Sequence, residues 1–231
     1  MFKFIQKILL CLLLIITTSH AAPFQNGSFE NNSALWQNNH GGYLDILPSY
    51  EQDLTGWTIE HLSGPHNGVL WTKNWAGGPP QDGTYYMIPT WHTDLHHMRL
   101  WQTFDTVIGQ EYQVNFYMHR GQHAYTNYDG NCPSAEHKTI LFTIKENNGS
   151  GTTLASFDGD EPNASWNQHS FNFTATTSQT YLSLDPKVYP CRWDYFPGID
   201  NITVEEVVPP PYPNWQRYGA LYPDDPTHAN T

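Results

Sequence analysis

From Tyr112 to Met118 the chain alternates without a break. Tyr112, Val114, Phe116 and Met118 fall on one side of an extended backbone, and Gln113, Asn115 and Tyr117 fall on the other. Successive side chains of a strand point to opposite faces, so this period of two specifies a strand with one buried and one wetter face. Ile140, Phe142 and Ile144 repeat the pattern, as do Phe171 with Phe173, Leu182 with Leu184, and Ile202 with Val204. These residues are the expected core. Gly, Pro, Asn and Asp separate the runs, and no stretch carries the 3.6-residue apolar period of an amphipathic helix. Short alternating runs between frequent turn residues point to an all-β, antiparallel sandwich or barrel.

The two ends depart from this pattern. Lys3 and Lys7 accompany an apolar run over residues 8–16, short of the roughly 20 residues a bilayer span needs. Ser19-His20-Ala21 then supplies small residues for cleavage, so residues 1–21 read as a signal peptide. The mature protein is therefore expected outside the cytoplasm, secreted or periplasmic, with no membrane insertion. Residues 208–231 carry Pro209-Pro210-Pro211, Pro213, Pro223 and Pro226, which favour polyproline or turn structure over a sheet ladder. Residues 22–207 have the length of one domain.

Charge narrows the partners. Loss of Lys3 and Lys7 with the leader lowers the basic residues from 10 to 8 against 22 acidic ones, and takes the net charge from −12 to −14. Such a surface repels nucleic acid and anionic membranes and suits neutral ligands and divalent cations. The leader also removes Cys11. Cys132 and Cys191 remain, an even count that in an exported chain reads as one disulfide, with two buried thiols as the alternative.

Two acidic motifs lie far apart in the chain. Asn26-Gly27-Ser28-Phe29-Glu30 opens the mature sequence and Pro197-Gly198-Ile199-Asp200-Asn201 closes its last apolar run. Each sets a carboxylate beside a tight turn. Calcium takes six to eight oxygens from carboxylates and carbonyls, so Glu30 and Asp200 read either as part of a calcium clip or as two ordinary strand-edge acids.

Five motifs occur in a recognisable order: Asn26-Gly27-Ser28-Phe29-Glu30, Leu54-Thr55-Gly56-Trp57, Trp101-Gln102-Thr103-Phe104, Gly109-Gln110-Glu111-Tyr112 and Gly198-Ile199-Asp200-Asn201-Ile202. Over residues 24–207 the chain resembles the galactose-binding-domain-like jelly rolls of carbohydrate-binding modules, and most of all the cell-wall family described as domain of unknown function 642. The resemblance implies a jelly-roll sandwich that binds a polysaccharide or glycoconjugate without cleaving it. It also implies a structural calcium at Glu30 and Asp200, and a cysteine before the closing motif, which Cys191 matches. The segments 40–48 and 92–97 depart from the family pattern as insertions.

The aromatic content supports a sugar ligand. Nine tryptophans and fourteen tyrosines exceed what a core of this size needs, and both types suit sites with one wet edge. Trp71, Trp75 and Trp91 lie in Gly- and Pro-rich segments read as loops, where binding residues concentrate. Arg99 and Trp101 share one strand face. Tyr117 and His119 share another, with Arg120 next in the chain. Sugar rings offer C–H faces for stacking and hydroxyls for such polar groups. These eight residues form the expected glycan site.

Two other readings are open. His92, His96 and His97 cluster with Asp94 and would suit a metal-dependent hydrolase, although no Glu sits between the histidines as a general base. Asp158, Asp160 and Glu161 form an acidic turn that a solvated loop explains equally well. A protein-binding adhesion or matrix domain is the remaining alternative.

Overall fold

The computed structural model describes residues 23–31, 43–45, 54–63, 70–72, 79–89, 97–119, 139–159, 161, 165–187 and 197–208. Eleven strands run through them: β1 (Tyr43–Asp45), β2 (Thr58–Ser63), β3 (Leu70–Thr72), β4 (Tyr86–Ile88), β5 (His97–Asp105), β6 (Glu111–His119), β7 (Thr139–Glu146), β8 (Thr153–Gly159), β9 (Asn167–Thr174), β10 (Gln179–Lys187) and β11 (Gly198–Glu206). They form a six-stranded sheet in the order β1-β3-β4-β11-β6-β9 and a five-stranded sheet in the order β2-β5-β10-β7-β8. Every pairing is antiparallel. The all-β class expected from the alternation, and the jelly-roll sandwich that the family resemblance implies, are the fold found. Among the described residues no helix is long and apolar enough to cross a membrane.

The alternation fills the space between the sheets. Val114, Phe116 and Met118 of β6 and Ile140, Phe142 and Ile144 of β7 are fully buried. Phe116 and Phe142 come from opposite sheets and stack with ring centres 4.1 Å apart. Each buried side chain of this size contributes roughly 1.5–3 kcal/mol by leaving water. Two expected core members sit less deeply. Phe171 and Val204 are only partly buried against the cluster. Phe171 belongs to β9, the edge strand of its sheet, and stacks on Phe157 of the other sheet's edge strand at 5.9 Å. The core also holds Phe29, Leu54, Trp57, Ile59 and Met87, whose short or irregular segments show no alternation to read.

The N-terminal segment is stitched to the body by its own motif. A Cβ on Gly27 would lie 1.8 Å from the Ile202 carbonyl oxygen, so only glycine allows the Ile202 N–H to reach the Gly27 carbonyl at 3.0 Å. Asn26 binds the carbonyls of Asn31 and Thr55 through its amide, each at 2.9 Å, and its own carbonyl accepts from the Trp57 indole at 2.9 Å. Phe24 and Phe29 pack against Trp57 at 5.8 and 5.6 Å. The Asn-Gly-Ser-Phe-Glu and Leu-Thr-Gly-Trp motifs thus meet as one clasp. Within β11 the register shifts between Asp200 and Thr203, and Asn201 takes a φ of 49°. This bulge sets two residues against one of β6 and re-aims the strand beside Asp200.

Candidate functional site

The outward face of the five-stranded sheet carries an open groove. In register, Thr58 of β2 lies opposite Trp101, Glu60 opposite Arg99, and Ser183 of β10 opposite Trp101 from the other side. The inward partners Ile59, Leu100, Leu182 and Leu184 are buried, so the residues alternating with them face outward. Trp101 and Tyr181 sit side by side with ring centres 5.4 Å apart and planes inclined by 35°. The turn joining β7 to β8 folds over this face. Gly149, at a φ of 87°, rests on the Tyr181 ring so closely that a Cβ would lie 2.9 Å from it. Between that turn and β2 lies a cavity of about 530 Å³, with Trp101, Tyr181, Arg99 and Glu60 among its walls.

The polar groups of the groove are coupled. The Arg99 guanidinium donates from Nε to Asp185 and from Nη1 to Glu60 at 3.2 Å. Ser183 donates to the second oxygen of Asp185 at 2.7 Å. Burial alone works to lower the Arg99 pKa, but the Asp185 pair outweighs it and the guanidinium is held above its ordinary value. Burial pushes the Tyr181 phenol upward, with Asp185 and Glu60 reinforcing the shift and Arg99 opposing it, so the phenol stays neutral near pH 7. The groove therefore combines aromatic surface with fixed donors and acceptors, the composition of a small-molecule or saccharide site.

A second cluster of interest lies on the outward face of the six-stranded sheet. Asp200 sits opposite Tyr117 yet is fully buried, because residues 81–82 lie over it. Its Oδ2 accepts from the Gln81 and Asp82 N–H groups at 2.9 and 3.0 Å, and its Oδ1 from the Asn201 N–H at 2.7 Å. Burial pushes its pKa up to about 7 even though these three amides pull the other way. Glu30 Oε1 accepts from the Thr84 and Tyr85 N–H groups at 2.7 Å each. One loop thus bridges the two distant acidic motifs. The pair supplies oxygens of the right kind for calcium, but no group of three or more His, Cys, Asp or Glu residues suited to a metal is found among the described residues. A calcium there would draw its further ligands from carbonyls or water.

The eight expected glycan residues are divided by the fold. Arg99 and Trp101 come together in the groove. Tyr117 and His119 lie on the other sheet, whose outward face is the second cluster. His119 is fully buried, with Trp166 at 4.2 Å and Tyr86 at 5.1 Å, which corrects the expectation that it meets a ligand in solvent. Trp71 is on strand β3, not in a loop, and pairs with Leu44 and Met87. Segment 40–48, expected as an insertion, supplies the edge strand β1. Trp75, Trp91, Arg120, Cys132, Cys191 and the histidines at 92 and 96 lie outside the described residues, and His97 opens β5. The acidic turn is not a solvated loop throughout. Glu161 is buried and binds His169 at 2.9 Å, while Asp158 pairs with Lys187.

Glu60, Tyr181, Ser183 and Asp185 were not foreseen. For the last three a signal existed, since they alternate with the core residues Leu182 and Leu184. Glu60 had none.

No family model and no curated protein matches the chain, so the resemblance to domain of unknown function 642 rests on the motifs alone. Among solved structures, TmCBM61 in complex with β-1,4-galactotriose aligns at 13% identity and a TM-score of 0.46, covering 66% of this chain and 90% of that one. A family 35 carbohydrate-binding module from Clostridium thermocellum aligns at 12% identity and a TM-score of 0.41, covering 70% and 96%. The K2 cleaved adhesin domain of Lys-gingipain aligns at 12% identity and a TM-score of 0.42, covering 72% and 98%.

Proposed function

We propose that the protein is an exported, non-catalytic carbohydrate-binding domain whose ligand lies in the groove of the five-stranded sheet. The observation that carries this reading is the adjacency of the Trp101 and Tyr181 rings to Arg99 and Glu60 in one open cavity, with Asp185 bound to the same guanidinium. An indole face stacks on the C–H face of a pyranose, and a guanidinium flanked by carboxylates offers donors and acceptors to its hydroxyls. Glycoside hydrolysis needs two carboxyl groups in contrasting environments, one of them protonated above the scissile oxygen. Here Glu60 and Asp185 both bind the same guanidinium, which suits holding a sugar rather than cleaving it. Affinity electrophoresis in gels containing soluble polysaccharides tests the reading. Retardation by at least one polymer, without release of reducing ends, is expected. Mobility unchanged in every polymer, or release of reducing ends, contradicts it.

Two structural elements belong to the same proposal. A calcium ion between Glu30 and Asp200 would balance the charge of the Asp200 carboxylate, whose pKa burial raises to about 7. A disulfide between Cys132 and Cys191 is the pairing that an even cysteine count in an exported chain favours. Non-reducing mass spectrometry is expected to find the two cysteines in one linked peptide, and two alkylated thiols would reject the bond.

A further inference from the structure

The groove's charge arrangement carries a statement about which glycans it accepts. Of the described charged residues, Glu60 and Arg99 wall the cavity. Arg99 is not available as a simple anion receptor, because Asp185 and Glu60 flank it and bind it from two sides. Ser183 holds Asp185 in place, and Asp185 is mostly shielded from solvent. Lys145 lies opposite Tyr181 on β7 but does not wall the cavity. The trio therefore carries one positive and two negative charges next to the Trp101 ring.

Resting on the groove reading above, we infer that the site selects neutral glycans and rejects acidic ones. A guanidinium presents five N–H donors, and the two named pairs engage two of them. A neutral sugar adds to the trio without breaking it: its hydroxyls accept from Arg99 and donate to the carboxylate oxygens of Glu60. A uronate carboxylate has no proton to donate. At one of the remaining Arg99 donors it becomes a third negative charge around one guanidinium, beside Glu60 and Asp185. Like-charge juxtaposition of this kind is how interfaces exclude wrong partners. The protein's overall negative charge acts in the same direction at longer range.

The test compares one polymer in two forms: a neutral polysaccharide that retards the protein in the gel, and the same polymer after oxidation of its C6 hydroxymethyl groups to carboxylates. Binding is measured for the wild type, Glu60→Gln and Trp101→Ala, with melting temperatures confirming that each variant is folded. The neutral form is expected to bind about tenfold tighter or more, in keeping with the ~1.4 kcal/mol that separates each decade of affinity. Glu60→Gln is expected to narrow the ratio between the two forms. Equal or tighter binding of the oxidised form, still lost in Trp101→Ala, would overturn the inference while leaving the groove as the glycan site. A ratio unchanged in Glu60→Gln would also overturn it. Absence of binding to every neutral and oxidised polymer would remove the groove reading itself.

Discussion

The two outward faces of the sandwich carry similar residue types in opposite settings. On the five-stranded sheet, Trp101 and Arg99 line an open cavity, with Tyr181 at its edge buried under the turn that carries Gly149. On the six-stranded sheet, Tyr86, His119 and Asp200 are fully buried beneath the 79–85 loop and Trp166, whose indole donates to the Pro79 carbonyl at 2.9 Å. The same alternation places all of them away from the core. What differs is whether another segment lies on top. A covered face turns its aromatic and acidic residues into structure, while an uncovered one leaves them for a ligand. Substitutions should therefore separate: those on the covered face should cost stability, and those in the groove should cost binding.

The largest expected effect is on the covered face. Asp200→Ala strands three backbone N–H groups in a buried setting, and each such loss costs about 1–3 kcal/mol. A loss of about 3 kcal/mol in urea denaturation is expected, with glycan affinity in the folded fraction unchanged within about twofold. A drop in affinity without a drop in stability would erase the distinction between the faces. Next comes Trp101→Ala. Its ring packs on Tyr181 at the surface and not in the core, so binding is expected to weaken about tenfold or more while stability changes by less than about 1 kcal/mol.

The acid pair sharpens the comparison through pH. The Asp200 carboxyl stands near 7 in the folded protein against 3.8 for the unperturbed group. A carboxyl raised in this way favours the folded state when protonated. Its contribution is complete below about pH 4 and is lost as pH rises through about 7. Without divalent cations the melting temperature is therefore expected to fall by a few degrees between pH 5 and pH 8. Calcium binds the ionised carboxylate, so adding it at pH 8 is expected to restore those degrees, and chelation to remove them. No response to either would reject the ion and leave backbone amides holding the two acids. The smallest effect is expected at Gly149→Ala. A side chain at a φ of 87° costs about 1 kcal/mol, and contact with Tyr181 would push the turn off the groove wall. A few-fold loss of affinity is expected by calorimetry, and unchanged affinity would show that the turn does not border the ligand.

Much of the sandwich was legible because period-two alternation reports directly on burial. Tyr112 to Met118 and Ile140 to Ile144 gave their strands and their inward faces without ambiguity. Short strands gave no such signal: β1, β3 and β4 have three residues each, too few to show a period. The groove was half legible. Arg99 and Trp101 were found because one strand carries both, and Tyr181 was missed although it alternates with Leu182. Composition and alternation identify a residue that leaves the core, but not what lies above it. His119 shows this limit, since its cover comes from Trp166 and Tyr86, distant in sequence. Glu60 shows another, because only the cross-strand register brings it to Arg99.

The most direct test of the two-face account is a heteronuclear NMR titration with an oligosaccharide of the polymer that retards the protein, following the tryptophan indole and arginine side-chain N–H signals. The account predicts that Trp101 Nε1–H and Arg99 Nε–H shift and saturate together while Trp166 Nε1–H stays in place. Saturable shifts at Trp166 and the 79–85 amides, with Trp101 and Arg99 silent, would contradict it.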